Sequence, residues 1–269
     1  VNTVTGQIDP TVKAEIDRRL AAIEADDGAR LLLAVESGSR AWGFPSPDSD
    51  YDVRFVYVRT RDAYLALRPP RDVIERPIVD EIDLNGWDLR KLLGLMLKSN
   101  ATGSEWLQSP IRYRADHPVM ARVAALGDMV FDPRGVARHY ASLGRNAMAC
   151  WPEDEAPVPV KRYFYALRPA LAIRAMRLDP TRRPPMNLQQ LMAVTDLSVT
   201  TVAMIEDLVA AKRETREQGN ARRYPELDAL IRDELLRDGV GRVGEVPERP
   251  VPSDAFRAAE DIFLDLVNS

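Results

Sequence analysis

The chain reads as an α+β protein: an N-terminal mixed β-sheet with flanking helices, followed by a C-terminal helical bundle. Three observations carry this reading. Short apolar runs of strand length crowd the first part of the chain. Helical spacing of apolar residues frames them. After about Pro118 the strand-like runs stop and only helical patterns continue. Asp9-Pro10 supplies an N-cap and a first-turn proline, and Val12, Ile16, Leu20 and Ile23 recur at helical spacing. Leu31–Ser37 reads as a buried strand and Asp52–Arg59 as its antiparallel or mixed neighbour. Thr60 caps a short helix through Leu67. Asp72–Glu75 and Ile78–Leu84 read as strands around Arg76-Pro77. Asn85–Ser99 is expected to be helical, with Leu89, Leu92, Leu93, Met96 and Leu97 as its apolar stripe. The α+β part ends near Ile111–Arg114, which sets domains of 1–115 and 116–269.

In the second part, Cys150–Val160 is rich in proline and acid and reads as a linker. Val160–Leu178 is a helix that turns Tyr163, Phe164, Leu167, Leu171 and Ile173 inward, and Asp179-Pro180 stops it. Leu188–Leu197, Val199–Lys212, Tyr224–Leu236 and Asp254–Val267 follow as helices, with the loop "VGEVPERPVPS" before the last.

The 269 residues hold ample apolar content for a core, and nothing approaches the roughly twenty apolar residues of a membrane span. The N-terminal stretch lacks the apolar segment of a signal peptide. A single cysteine, Cys150, makes no internal disulfide and fits a cytoplasmic protein; it reads as a small buried hydrophobe. His117 and His139 read as solvated or capping residues. The net charge of −4 argues against a broad basic footprint for long nucleic acid but leaves room for a local basic groove. Arg168, Arg174, Arg177, Arg182 and Arg183 are expected mostly in surface ion pairs.

The chemistry concentrates in "VESGSRAWGFPSPDSDYDVRFVYV", Val35–Val58. Gly38 and Ser39 follow an apolar strand, where a glycine lets backbone approach an anion and the serine offers a hydroxyl and an amide. Asp50 and Asp52 flank Tyr51, so on a strand their side chains share one face. Paired carboxylates suit a hard divalent cation. Asp48, Asp50 and Asp52 also mimic the start of a calcium loop, but Val53 and Arg59 occupy the positions that need glycine and glutamate. No Gly-Lys-Ser or Gly-Lys-Thr of a P-loop occurs. A phosphate cradle beside a metal seat points to phosphoryl or nucleotidyl transfer.

"GSRAWGFPSPDSDYDVRFVYV" resembles the signature of the polymerase-beta-like nucleotidyltransferase superfamily, in which Gly-Ser precedes Asp-x-Asp by some ten residues. Its fuller wording, with "IDLNGWDLRKLLGLMLKSNATGSEWLQSPIRY" and "KRYFYALRPALAIRAM", is similar to the bacterial branch associated with RNA repair and RNA ligase. The resemblance implies a nucleotidyltransferase core and a helical part with the active site in a cleft between them. It implies Mg²⁺ or Mn²⁺ as cofactor, an NTP as substrate and an RNA end as acceptor.

Two-metal transfer needs a third carboxylate. Asp80, Glu81 and Asp83 are the candidates. Strand alternation puts Glu81 and Asp83 on one face, and the branch carries its acid at the position of Asp83, with Glu81 the fallback. Asp50, Asp52 and Asp83 are thus the expected catalytic and metal-binding residues. Gly38, Ser39 and Arg40 are the expected phosphate contacts. Lys161, Tyr165 and Arg168 share one helix face and suit triphosphate and base contact, as exposed groups that matter little to folding. Lys91 and Lys98 are weaker candidates, and Trp42 and Phe44 read as loop packing. Two other readings fit the motif: adenylylation of a small molecule or protein, and a nucleotide-binding regulator without turnover.

Overall fold

The Asp9 side chain accepts hydrogen bonds from the amides of Thr11 and Val12, and helix α1 (Pro10–Asp27) starts there. Gly28 ends it in the left-handed conformation that glycine adopts without penalty. The computed structural model describes residues 8–149, 151–152, 156–214, 219–237, 241, 243 and 251–268. Cys150, part of the expected 150–160 linker and most of the expected 243–253 loop lie outside the described residues.

Strand β1 (Ala29–Glu36) leads to the one-turn helix α2 (Ser39–Trp42), and β2 (Tyr51–Arg59) to α3 (Arg61–Leu65), capped by Thr60. Then come β3 (Val73–Glu75), β4 (Ile82–Asp88), α4 (Leu89–Met96), α5 (Ala101–Gln108) and α6 (Val119–Met129). The sheet order is β1-β2-β4-β3, with β2 and β4 parallel and the other two pairs antiparallel.

Two sequence expectations change here. Asn85–Asp88 is strand, and the helix begins only at Leu89, where the Asp88 side chain caps the Arg90 amide. Gly86 suits that strand because the Phe55 ring lies where a Cβ would stand. Strand β4 also starts at Ile82 rather than Ile78, because Asp80 and Glu81 both take positive φ in the preceding turn.

Contacts divide the chain into two units: Val1–Ala41, Asp50–Val130 and Val251–Ser269 form the first, Trp42–Ser49 and Phe131–Pro250 the second. A single cut at 115/116 does not reproduce them. In the first unit both faces of the sheet are covered. Val53, Phe55 and Tyr57 of β2 pack with Ile16, Leu20 and Ile23 of α1. Val56 and Val58, alternating to the other face, pack with Leu92 of α4, Val123 of α6 and Ile262 of α12 (Ala255–Val267). Each such side chain contributes about 1.5–3 kcal/mol by leaving water, which is why α6 and α12 belong with the sheet despite their places in the sequence. Residues 111–117 run along the free edge of β1, through Glu36 N to Ile111 O, Tyr113 N to Ala34 O and His117 N to Leu32 O. The His117 ring accepts from Val119 N and so helps cap α6.

The second unit holds α7 (Pro133–Met148), β5 (Val158–Pro159), α8 (Val160–Leu178), α9 (Leu188–Ala193), α10 (Val199–Glu214), β6 (Asn220–Ala221) and α11 (Pro225–Arg232). A π-helical turn, Asp233–Arg237, follows α11. Tyr163, Phe164, Leu167, Leu171 and Ile173 of α8 are fully buried, as their spacing predicts. No described helix is long and apolar enough to cross a membrane.

Candidate active site

Strands β1 and β2 pair so that Glu36 lies opposite Val53, and Ser37 N donates to Asp52 O at 2.9 Å. The Gly38 turn is therefore laid directly against Asp52. A Cβ built on Gly38 would stand 1.7 Å from Asp52 Oδ2. Gly38 is not among the positive-φ glycines, so what it provides is room. The anion it admits in this structure is the chain's own carboxylate.

Beneath the turn lies a fourth acid, Glu36, with no solvent exposure. Its Oε1 accepts from Gly38 N at 3.2 Å and Asp52 N at 3.1 Å, and its Oε2 accepts from Tyr113 Oη at 2.5 Å. Burial pushes its pKa up to about 7, opposed by the Tyr113 hydrogen bond and aided by the charge of Asp52. Burial and the neighbouring Glu36 also raise that of Tyr113. Glu36 thus ties the glycine turn, the start of β2 and the 111–117 segment together. At pH 8, where Glu36 is mostly ionised, Tyr113→Phe should lower unfolding stability by about 1.5–3 kcal/mol, the range for a hydrogen bond to a charged group, in a urea titration. An unchanged midpoint would mean that the hydroxyl is not holding Glu36.

Asp52 and Asp83 are register partners in the parallel β2/β4 ladder. Their carboxylates converge on one nitrogen: Arg54 Nη2 lies 2.8 Å from Asp52 Oδ1 and 2.8 Å from Asp83 Oδ2. Arg54 Nη1 adds the carbonyls of Asp83 and Val53. Two acids this close repel unless a cation stands between them, and here it is a guanidinium. Glu81, exposed in the turn, is not drawn to this point, and neighbouring Asp80 pairs with Arg19. Asp50 precedes β2; its carbonyl accepts from Arg40 Nε at 3.3 Å, and its carboxylate has no partner among the described residues.

The donors suit Mg²⁺ chemically: hard carboxylate oxygens, two of them already aimed at a single positive charge. Among the described residues, however, no three His, Cys, Asp or Glu side chains are gathered as a metal-holding group. The expected trio of Asp50, Asp52 and Asp83 is present as a pair bridged by Arg54, with Asp50 apart from it.

Arg40, beside the expected phosphate turn, lies over the Tyr51 ring at 4.0 Å. Ser39 begins α2.

In the second unit, α8 carries Lys161 half-buried, Tyr165 exposed and Arg168 only 5% exposed. The expectation that all three are exposed is corrected for Arg168. Its guanidinium lies 4.2 Å from the Trp42 ring and 5.9 Å from that of Tyr140. Tyr165 meets Trp42 edge-on at 5.4 Å, and Phe44 stacks on Phe164 at 4.3 Å. Gly43, at φ 92, has its carbonyl held by Gln189 Nε2. Arg174 and Arg177 converge on buried Glu234, and Lys91 pairs with Asp72.

The RNA repair pathway DNA polymerase beta family, RlaP, matches residues 12–255. The chain belongs to this family. It is also 38% identical over 226 residues to the uncharacterized protein YcgL of Bacillus subtilis (strain 168), covering 84% of this chain and 86% of that protein. No solved structure matches it.

For a member of the RNA repair polymerase beta family, the residues that the motif reading missed are Glu36, Arg54 and Tyr113. Arg54 had a signal: it lies two residues beyond Asp52 on the same strand face. Glu36 and Tyr113 had none, because they are 77 residues apart in the chain.

Proposed function

We propose that this family member transfers a nucleoside monophosphate from an NTP to a hydroxyl at an RNA end, with Mg²⁺ or Mn²⁺, releasing pyrophosphate. The observation that carries the reading is the convergence of Asp52 and Asp83 on one cationic nitrogen, each at 2.8 Å. Asp52 and Asp83, joined by Asp50, would hold the metal, with Arg54 yielding its place between the first two. When bound, the metal supplies a Lewis acid that offsets the charge developing on the attacking and leaving oxygens. In the transfer, the acceptor oxygen bonds to the α-phosphorus and gives its proton to water. The bond from that phosphorus to the oxygen bridging to the β-phosphate breaks, and pyrophosphate leaves. Gly38 leaves room at the turn, while Ser39 and Arg40 offer donors to the phosphates.

Lys161, Tyr165 and Arg168 are assigned to the nucleotide. Their tests differ because their burial differs. Lys161→Ala should raise the apparent KM for NTP roughly ten- to a hundredfold, the loss of one charge-assisted hydrogen bond of about 1.5–3 kcal/mol, with little change in melting. Arg168→Ala should also lower stability, by about 2 kcal/mol, because its cation–π contacts are desolvated. An unaltered KM in both variants removes α8 from nucleotide recognition.

The acceptor is tested by incubating the protein with each labelled NTP and Mg²⁺ or Mn²⁺, with and without RNA. Label appearing in RNA supports the reading. Label in protein, or nucleotide binding without turnover, contradicts it.

A further inference from the structure

At the end of the sheet away from Asp52 and Asp83, the first unit carries an open pocket of about 400 Å³. That lies within the range of about 300–1,000 Å³ for small-ligand sites. Its wall is built from the start of β1, the end of β2 with the entry to α3, and the last turn of α12. It includes Gly28, Arg30, Val58, Arg59, Arg61 and Leu266. Among the described residues, three arginines and no acidic residue line it.

None of these three arginines forms a salt bridge among the described residues. Elsewhere in the unit, Arg19, Arg76 and Arg114 are each paired with carboxylates. Arg30 Nη2 donates to the Leu266 carbonyl at 3.1 Å, and Arg59 Nη1 donates to that of Asp27. Carbonyls orient these guanidinia without neutralising them. Arg59 Nε is buried with no hydrogen-bond partner among the described residues, and the guanidinium lies 5.3 Å from the Tyr57 ring. Asp88 acts on Arg59 and offsets part of its charge, while the Asp27 carboxylate is paired with Arg76. Arg30 and Arg61 therefore carry most of the positive charge on the pocket wall, although the chain is acidic overall.

We propose that this pocket takes a backbone phosphate of the single-stranded RNA acceptor. Guanidinium matches phosphate oxygens bidentately, and a groove with several cations tracks a nucleic-acid backbone. The site is distinct from the acids. From Asp52 to Arg59 is seven residues of β2, roughly 23 Å at about 3.3 Å per residue. That equals several stacked nucleotide steps of about 3.4 Å each, so one NTP does not reach both. The RNA assignment rests on the reading under Proposed function; the phosphate chemistry does not.

The test is fluorescence anisotropy with labelled single-stranded RNA of four and of twelve nucleotides, using wild type and the double variant Arg30→Gln/Arg61→Gln, across a salt series. Melting curves confirm that the variant is folded. The twelve-mer should bind about tenfold or more weakly to the variant, and its log–log salt slope should fall by about 0.7 for each phosphate that is no longer neutralised. The four-mer should be weakened less than the twelve-mer, since it cannot span the pocket and the acids together, and Arg30→Lys/Arg61→Lys should recover most of the slope. Weakened binding of AMP or inorganic phosphate with an unchanged twelve-mer would place a free phosphate here and overturn the RNA assignment. No change in any of these ligands would overturn the site itself. Asp52→Asn should keep full twelve-mer affinity while losing transfer. A wild type without transfer but with arginine-dependent twelve-mer binding would therefore refute the enzyme reading and leave this site standing.

Discussion

Asp52→Asn should reduce nucleotidyl transfer about a thousandfold or more while the protein stays folded. The amide keeps the shape of the side chain but loses the charge that draws a cation between β2 and β4, and metal stabilisation of transfer is worth several kcal/mol. Stability should change by no more than about 1 kcal/mol, since the Asp52–Arg54 pair is partly solvated and Arg54 keeps Asp83 as a partner. The measurement is single-turnover transfer with saturating NTP, alongside a melting curve. A variant within a few-fold of wild type would remove Asp52 from the chemistry. Asp83→Asn should follow the same pattern, and Glu81→Gln should not, because Glu81 stands in the turn outside the converging pair.

The second large effect is expected from a single methyl group. In Gly38→Ala the new Cβ would meet Asp52 Oδ2 at 1.7 Å, Cγ at 2.6 Å and Cβ at 2.9 Å. Either the carboxylate leaves its position or the turn shifts. A displacement of about 1 Å at a reacting centre costs on the order of a hundredfold in rate, and overpacking costs about 1–3 kcal/mol of stability. Gly94→Ala is the control. A Cβ there meets nothing within 4 Å, so rate and melting should hold or improve slightly. Equal rates in Gly38→Ala and wild type would mean that Asp52 need not sit where β1 and β2 place it.

Local signals in the sequence are legible wherever they govern the backbone. Asp9-Pro10 starts α1, Thr60 caps α3, Asp179-Pro180 stops α8, and the spacing in α8 gives its buried face. The α+β class follows from such signals. The segment from Ile78 to Asp88 departs from its pattern for two local reasons. Asp80 and Glu81 take left-handed conformations that residue type alone does not announce, and Asn85-Gly86-Trp87-Asp88 lies next to a strong helical stripe. Its strand state depends on Phe55 packing over Gly86, a contact from another strand.

The site divides in the same way. Asp52 and the Gly-Ser turn are near one another in sequence, so the motif points to both, whereas Asp50 lies before β2 and outside the alternation expected of it. Bringing Asp83 beside Asp52 needs the parallel β2/β4 pairing, and that pairing also makes Arg54 their shared counterion. Glu36 becomes a buried anchor only when the 111–117 segment lies along β1 and brings Tyr113 to it. Arg168 has the spacing of a surface residue on an amphipathic helix. Trp42 and Tyr140, both distant in the chain, enclose it.

The most direct test of nucleotidyl transfer to RNA follows the fate of two labels on one substrate. An NTP labelled at the α-phosphorus and the same NTP labelled at the γ-phosphorus are incubated in parallel with the protein, Mg²⁺ and a single-stranded RNA. The α-label should enter the RNA and the γ-label should leave in pyrophosphate, in equal amounts, with both signals lost in Asp52→Asn. Transfer of the γ-label to RNA, or retention of both labels in intact NTP that the protein still binds, would contradict the account.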